Sequence, residues 1–296
     1  MNQLEDMRIF VETVQAQSFT AAADRLGLSK QFVSKRIAAL EQRLGARLLV
    51  RSTRNQRVTD LGTAYFERAQ RILQEVDAAE QMVLGRTATP RGTLRLSAPM
   101  SFGTLHLAPL VPVFMQREPQ VSLELDLNDR TVDLIGEGYD MAVRIGALAD
   151  SSLIARRISS MQLITCASPG YLRQHGEPTA PAQLAAHACL SYSHSRRNDW
   201  TYRVGERVHK VSVSGPLCSN NGEMLRDAAI AGLGLTVLPD FIVAAAVADG
   251  RLLEVLGDFR PDILNIHVVH PQHRETSLVV RAFSDFLAEQ FREHDG

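Results

Sequence analysis

Eight cations lie between Leu28 and Val58: Lys30, Lys35, Arg36, Arg43, Arg47, Arg51, Arg54 and Arg57. The same stretch holds one acid, Glu41, so it carries seven surplus positive charges on a chain whose formal net charge is -1. The remainder of the molecule is therefore acidic. Such local excess is the electrostatic footprint of a duplex binder, because cations that neutralise phosphates release counterions and supply salt-dependent affinity. A charge run by itself is more often a solvated surface. The spacing of the residues around it decides between the two readings.

Leu4, Met7, Phe10, Val11 and Val14 recur at helical spacing. Ser18-Phe19-Thr20 interrupts them and opens a short helix, Ala21 to Leu26, which stops at Gly27. A third helix starts near Ser29 and runs to Leu44-Gly45. Serine accepts a free backbone N–H at a helix start, and glycine takes the left-handed turn at a helix end. A short helix, a glycine turn and a second helix form a helix-turn-helix. Leu48 to Val50 and Val58 flank the turn residues Ser52–Gln56, a β-hairpin wing. In this arrangement the outward face of the third helix reads base edges in the major groove.

A long helix follows from Thr59 to Arg86, with Asp60 at its positive end. Tyr65, Ala69, Ile72, Val76, Ala79 and Val83 alternate spacings of four and three, a heptad seam expected to pair with a second copy rather than pack within one chain. Thr87 to Gly92 reads as a hinge.

Beyond the hinge, strands and helices alternate. Strands are expected around Leu94–Leu96, Val121–Leu127, Tyr139–Ile145, Met161–Cys166, Leu235–Leu238 and Asn265–Val269. Helices are expected over Leu105–Glu118, Asn221–Gly232, Pro239–Asp249 and Thr276–Arg292. This pattern implies parallel sheets with helices on both faces, and its length implies two subdomains. Ligands in such sheets bind beyond the carboxyl ends of the strands. The candidate ligand-binding set is Met100, Ser101, Phe102, Asn128, Asp129, Arg144, Ile145, Cys166, Asn220 and Asn221. Free N–H groups at a helix start near Met100 point to an anionic small molecule.

Other chemistries find little support. His267, His270 and His273 are three apart and face opposite sides of a strand, so with Cys218 they make a poor metal site. Three scattered cysteines, Cys166, Cys189 and Cys218, form no CxxC pair and fit a reducing cytosol. Redox sensing by Cys166 or Cys218 would need an exposed thiol of low pKa. P-loop, GxSxG, HExxH and GxGxxG signatures are absent, so neither an enzyme nor a cofactor is expected. Glu5 and Asp6 stand where a signal peptide would be basic, and no apolar run reaches bilayer length, which points to the cytoplasm.

Phe10-Val11-Glu12-Thr13-Val14, Ser18-Phe19-Thr20-Ala21-Ala22-Ala23, Leu26-Gly27-Leu28-Ser29, Val33-Ser34-Lys35-Arg36-Ile37, Leu40-Glu41, Leu44-Gly45 and Thr59-Asp60-Leu61-Gly62 resemble, in order and spacing, the N-terminal signature of LysR-type transcriptional regulators. Gly232-Leu233-Gly234-Leu235-Thr236-Val237-Leu238-Pro239 is similar to a late motif of their effector domain. The resemblance implies a winged helix-turn-helix, a linker helix and a periplasmic-binding-protein-like α/β effector domain of two subdomains. The expected boundaries are 1–58 for the DNA-binding domain, 59–86 for the linker and dimerisation helix, and 87–92 for the hinge. Subdomain I would take 93–164 with 270–296, and subdomain II 165–269, crossing near Thr165–Ser168 and His267–His270.

The resemblance also implies partners. These are promoter DNA, a small-molecule effector, further copies of the chain in a dimer of dimers (a homotetramer), and RNA polymerase. The expected DNA-contacting set is Ser18, Thr20, Ser29, Lys30, Gln31, Phe32, Ser34, Lys35, Arg36, Arg51 and Arg54. Phe32 departs from the pattern, since many relatives carry proline there. A ligand-free DNA-organising protein and a free solute-binding protein are the competing classes. The sensor-sized second half opposes the first, and the basic head opposes the second.

Overall fold

The computed structural model describes residues 2–51, 56–83, 89–148, 153–192 and 199–294, in two units, Met1–Ala88 and Thr89–Gly296.

The first unit is built from α1 (Gln3–Gln15), α2 (Phe19–Leu26), α3 (Lys30–Leu44), β1 (Leu49–Arg51), β2 (Gln56–Val58) and α4 (Asp60–Val83). Each early helix begins on a side-chain cap. Asn2 accepts the Leu4 N–H, Ser18 the Ala21 N–H and Ser29 the Phe32 N–H. Gly27 and Gly45 end α2 and α3 at φ of 65° and 63°, a left-handed conformation that costs residues with a Cβ roughly 1 kcal/mol or more. Ile9, Phe10, Val33, Ile37, Leu40 and Leu48 form the core between the helices. Glu41 is buried, and its carboxylate accepts the N–H groups of Leu48 and Leu49 at 2.8 and 2.9 Å. The lone acid of the basic segment therefore braces the entry to β1, which pairs antiparallel with β2. A Cβ on Gly62 would lie 2.1 Å from the Leu48 carbonyl oxygen, so α4 reaches this hairpin through a glycine.

The heptad expectation is corrected for its first half. Ala69 is fully buried in a cluster with Val11 and Leu73, and Tyr65 packs edge-on against Phe10 with ring centroids 5.4 Å apart. With Phe66 and Leu73, which lie off the seam, these two residues hold α4 to α1 within one chain. Ile72 stays 41% exposed and Ala79 is exposed. Val76 is partly buried, and the Val83 side chain lies outside the described residues.

The second unit contains two five-stranded sheets. In chain order its elements are β3 (Gly92–Ala98), α5 (Met100–Phe102), α6 (Ala108–Arg117), β4 (Val121–Leu127), β5 (Met141–Ile145), β6 (Leu153–Met161) and β7 (Leu163–Ala167). There follow α7 (Pro169–His175), β8 (Cys189–Tyr192), β9 (Asp199–Val204), β10 (Arg207–Ser212), β11 (Cys218–Ser219) and α8 (Gly222–Ile230). The chain closes with β12 (Leu235–Pro239), α9 (Asp240–Ala248), β13 (Leu253–Val255), β14 (Leu264–Pro271) and α10 (Leu278–His294). A π-helical turn, Gly103–Leu107, joins α5 to α6. Pro109 and Pro112 have no N–H for the carbonyls of Leu105 and Ala108, which favours a local change of helical pitch there.

The strand order is β4-β3-β5-β14-β6 in one sheet and β11-β8-β12-β7-β13 in the other. Both sheets are mixed, which corrects the expectation of parallel sheets. In each, four strands share one direction, and the chain that crosses between sheets inserts one antiparallel strand, β14 or β7. The crossovers also differ from those expected. β6 and β7 belong to different sheets, so the first crossing is at Gln162, inside the stretch read as a single strand Met161–Cys166. The second lies between β13 and β14, before Leu264 rather than at His267–His270. An apolar run that spans a crossing looks like one strand, because both halves are buried. Of the expected hinge, residues 87 and 88 lie outside the described residues, and Gly92 already opens β3 with its N–H on the Gln120 carbonyl. No described helix is long and apolar enough to cross a membrane.

Candidate functional site

Two surfaces gather the residues singled out above, one on each unit. On the first unit, α3 buries Val33, Ile37 and Leu40 and turns Lys30, Gln31, Phe32 and Lys35 to the outside. Ser34 is half-buried beside them. Ser18 and Ser29 act as helix caps, and Thr20 is exposed on α2. With proline at position 32 the Ser29 hydroxyl would have no N–H to accept; the Phe32 N–H meets it at 3.2 Å.

Arg36 is a correction. Its guanidinium turns back to α1, 2.7 Å from Asp6 and 3.5 Å from Glu5, and sits 6.0 Å from the Phe32 ring centroid. Asp6 is only 4% exposed, so this cation neutralises a buried carboxylate and is not presented to a duplex. Arg47 approaches Glu41 at 3.8 Å but remains open to solvent. Arg43 and Arg57 are exposed and join Lys30 and Lys35 as available cations, although sequence reasoning did not select them as contacts. Their place in the same basic run was the signal. Arg54 and the Arg51 side chain lie outside the described residues.

On the second unit a cleft of about 590 Å³ lies between the two sheets. Six of the ten predicted residues line it: Ser101, Phe102, Asn128, Asp129, Arg144 and Ile145. The other four do not. Cys166 is fully buried in the core of the second sheet, where desolvation pushes its thiol up to about 12. That removes the thiolate a redox sensor needs. Asn221 caps α8 by accepting the Met224 N–H, and its amide points at the Met100 sulfur; Asn220 is exposed. Among the described residues no group of three metal-capable side chains forms.

The walls are mostly apolar and include Phe102, Leu163, Trp200 and Phe241. Asp129 bridges the cleft, since its carboxylate accepts the Met100 N–H at 3.1 Å and the Tyr192 hydroxyl at 2.8 Å. Ser101 donates to Glu223, at the start of α8, at 2.5 Å. The helix start that pointed to an anion therefore already holds a carboxylate of the chain itself. Arg144 is half-buried and donates to the carbonyls of Arg130 and Val132 at 3.4 and 3.2 Å. Burial works against its charge, the neighbouring Arg130 adds to that effect, and Glu137 is taken by Arg130. Both amide atoms of Asn128, Oδ1 and Nδ2, and Ser191 Oγ are buried in the lining without a hydrogen-bond partner among the described residues. Sequence reasoning missed Ser191, Tyr192, Asp199, Trp200 and Phe241. Trp200 arrives on the β9–β10 hairpin, whose two-residue turn Gly205-Glu206 was a readable signal.

A basic recognition helix with a wing, followed by two mixed sheets around a ligand-sized cleft, defines a DNA-binding regulator with a sensor domain. Residues 4–63 match the bacterial regulatory helix-turn-helix protein, lysR family, and residues 87–292 match the LysR substrate binding domain. The chain belongs to the LysR family. An HTH-type transcriptional regulator of Haemophilus influenzae is 37% identical over 288 residues, covering 96% of this chain and 99% of its own. The structure of CrgA, a LysR-type regulator from Neisseria meningitidis, is 35% identical with a TM-score of 0.63, covering 97% of this chain and 98% of that one. The full-length virulence activator AphB of Vibrio cholerae is 28% identical with a TM-score of 0.62, covering 98% and 99%. The relatives are named as transcriptional regulators and not as enzymes.

Proposed function

We propose that this chain binds promoter DNA through α3 and its wing and responds to a small molecule held in the cleft of the second unit. The carrying observation is the outward face of α3, where Lys30, Gln31 and Lys35 stand exposed while the opposite face is spent on the core. Arg51 and Arg54 of the wing would approach the phosphate backbone. An anionic group on the effector is supported by Arg144, not by the helix start near Met100. The exposed Ile72 and Ala79, with the partly buried Val76, are the part of the seam left to pair two copies, and further pairing would give a dimer of dimers. RNA polymerase is the remaining partner, and the cytoplasm is where these partners meet.

The test is a gel shift on the duplex upstream of the chain's own gene. Lys35→Ala should weaken binding to every duplex about equally and reduce the slope of log affinity against log salt by about 1. Unchanged affinity and slope would remove α3 as the recognition helix.

A further inference from the structure

Among the described residues the cleft holds one charge of each sign without an ion-pair partner, one on each wall. Arg144 comes from β5 of the first sheet, and no carboxylate among the described residues pairs with it. Asp199 comes from β9, on the other side, and no described residue bonds its carboxylate. The two do not form an ion pair with each other. The remaining acid of the lining, Asp129, is fully engaged through both oxygens.

The orphaned polar atoms point the same way. Asn128 Oδ1 can only accept a hydrogen bond and Asn128 Nδ2, equally unpartnered, can only donate one, whereas Ser191 Oγ can do either. A plain carboxylate supplies acceptors alone and leaves Asn128 Oδ1 unsatisfied, at a cost of about 1–3 kcal/mol for a buried group. An ammonium supplies three donors and no acceptor. A molecule with both groups supplies the donor that Asn128 Oδ1 lacks, the acceptor that Asn128 Nδ2 lacks, and a partner for each charge. Phe102, Leu163, Trp200 and Phe241 line the same cleft and leave room for an apolar body beside the two charged groups.

We propose that the occupant of this cleft is a zwitterion of the α-amino-acid class with an apolar or aromatic side chain, its carboxylate on Arg144 and its ammonium on Asp199. This rests on the reading of the cleft as the effector site. Because charges from opposite walls meet on one ligand, binding couples the two sheets through the ligand itself.

Trp200 is the single tryptophan of the chain, so its emission reports on the cleft directly. The full-length protein is titrated with each of the twenty amino acids, and then with 3-phenylpropanoate and 2-phenylethylamine, which lack the ammonium and the carboxylate respectively. At least one apolar or aromatic amino acid should saturate the Trp200 signal, with both truncated probes weaker by about ten-fold or more. Asp199→Asn should bring L-phenylalanine and 3-phenylpropanoate to within about two-fold of each other, and Arg144→Gln should weaken both. Circular dichroism checks that the variants remain folded. The proposal is overturned if 3-phenylpropanoate binds as tightly as L-phenylalanine, if Asp199→Asn leaves the preference intact, or if no amino acid moves the signal. A plain organic acid that saturates Trp200 and is lost in Arg144→Gln keeps the cleft reading while ending the zwitterion. A Trp200 signal unmoved by any probe or by deproteinised cell extract ends both.

Discussion

The two sheets of the second unit follow one plan. Each centres on a strand flanked by two parallel neighbours, β3 between β4 and β5, and β8 between β11 and β12. Each then adds an antiparallel strand delivered by a crossing, β14 or β7. They part at the connection after the central strand. The first sheet passes through α5 and α6, whereas the second passes through the β9–β10 hairpin. The first wall of the cleft therefore offers a helix start, already filled by Asp129, and the second offers Trp200 and Asp199. Shared topology places the cleft; the unlike connections decide what chemistry lines it.

The stabilising contacts differ as well. The first subdomain contains a buried ion pair, Arg274 with Asp140 at 3.0 Å, and Asp140 also accepts the Arg95 N–H at 2.8 Å. The second anchors its hairpin with a neutral contact, the Tyr202 hydroxyl on Thr165 Oγ1 at 2.9 Å. Breaking the first should have the larger effect. Arg274→Ala strands a buried carboxylate and should cost about 3–5 kcal/mol in urea unfolding. A loss under about 1 kcal/mol would mean that water reaches Asp140 and that the two subdomains are held alike. Tyr202→Phe leaves one buried hydroxyl unmatched and should cost about 1–3 kcal/mol. A cost equal to that of Arg274→Ala would erase the contrast. Tyr192→Phe removes the contact between Tyr192 and Asp129 across the cleft and should cost no more than about 1 kcal/mol. Its signature is faster amide exchange at Met100, whose N–H shares that carboxylate. Unchanged exchange there would show that Asp129 holds the helix start without help from the second sheet.

Much of the first unit was legible because its rules are local. Ser18, Ser29, Gly27 and Gly45 set helix starts and stops by hydrogen bonding and backbone sterics within a few residues. Surplus charge is a property of composition, and so the basic head was visible too. Arg36 was not, because its partner Asp6 is thirty positions away and becomes a neighbour only when α1 packs on α3. Tyr65 and Ala69 mislead for a related reason, since apolar periodicity shows that a face is buried without showing against what.

The cleft divides along the same line. Ser101, Asn128, Asp129 and Arg144 lie at strand ends and could be placed from alternation alone. Their occupancy could not: Asp129 capping Met100, and Ser101 donating to Glu223, are contacts across 29 and 122 residues. By itself, then, the order of amino acids determined the helix-turn-helix, the basic segment and the strand-end residues that line the cleft, which follow from local backbone geometry and composition. Only the tertiary structure decided which charges are neutralised and which remain open, because Coulomb energy and desolvation depend on distances that folding alone creates.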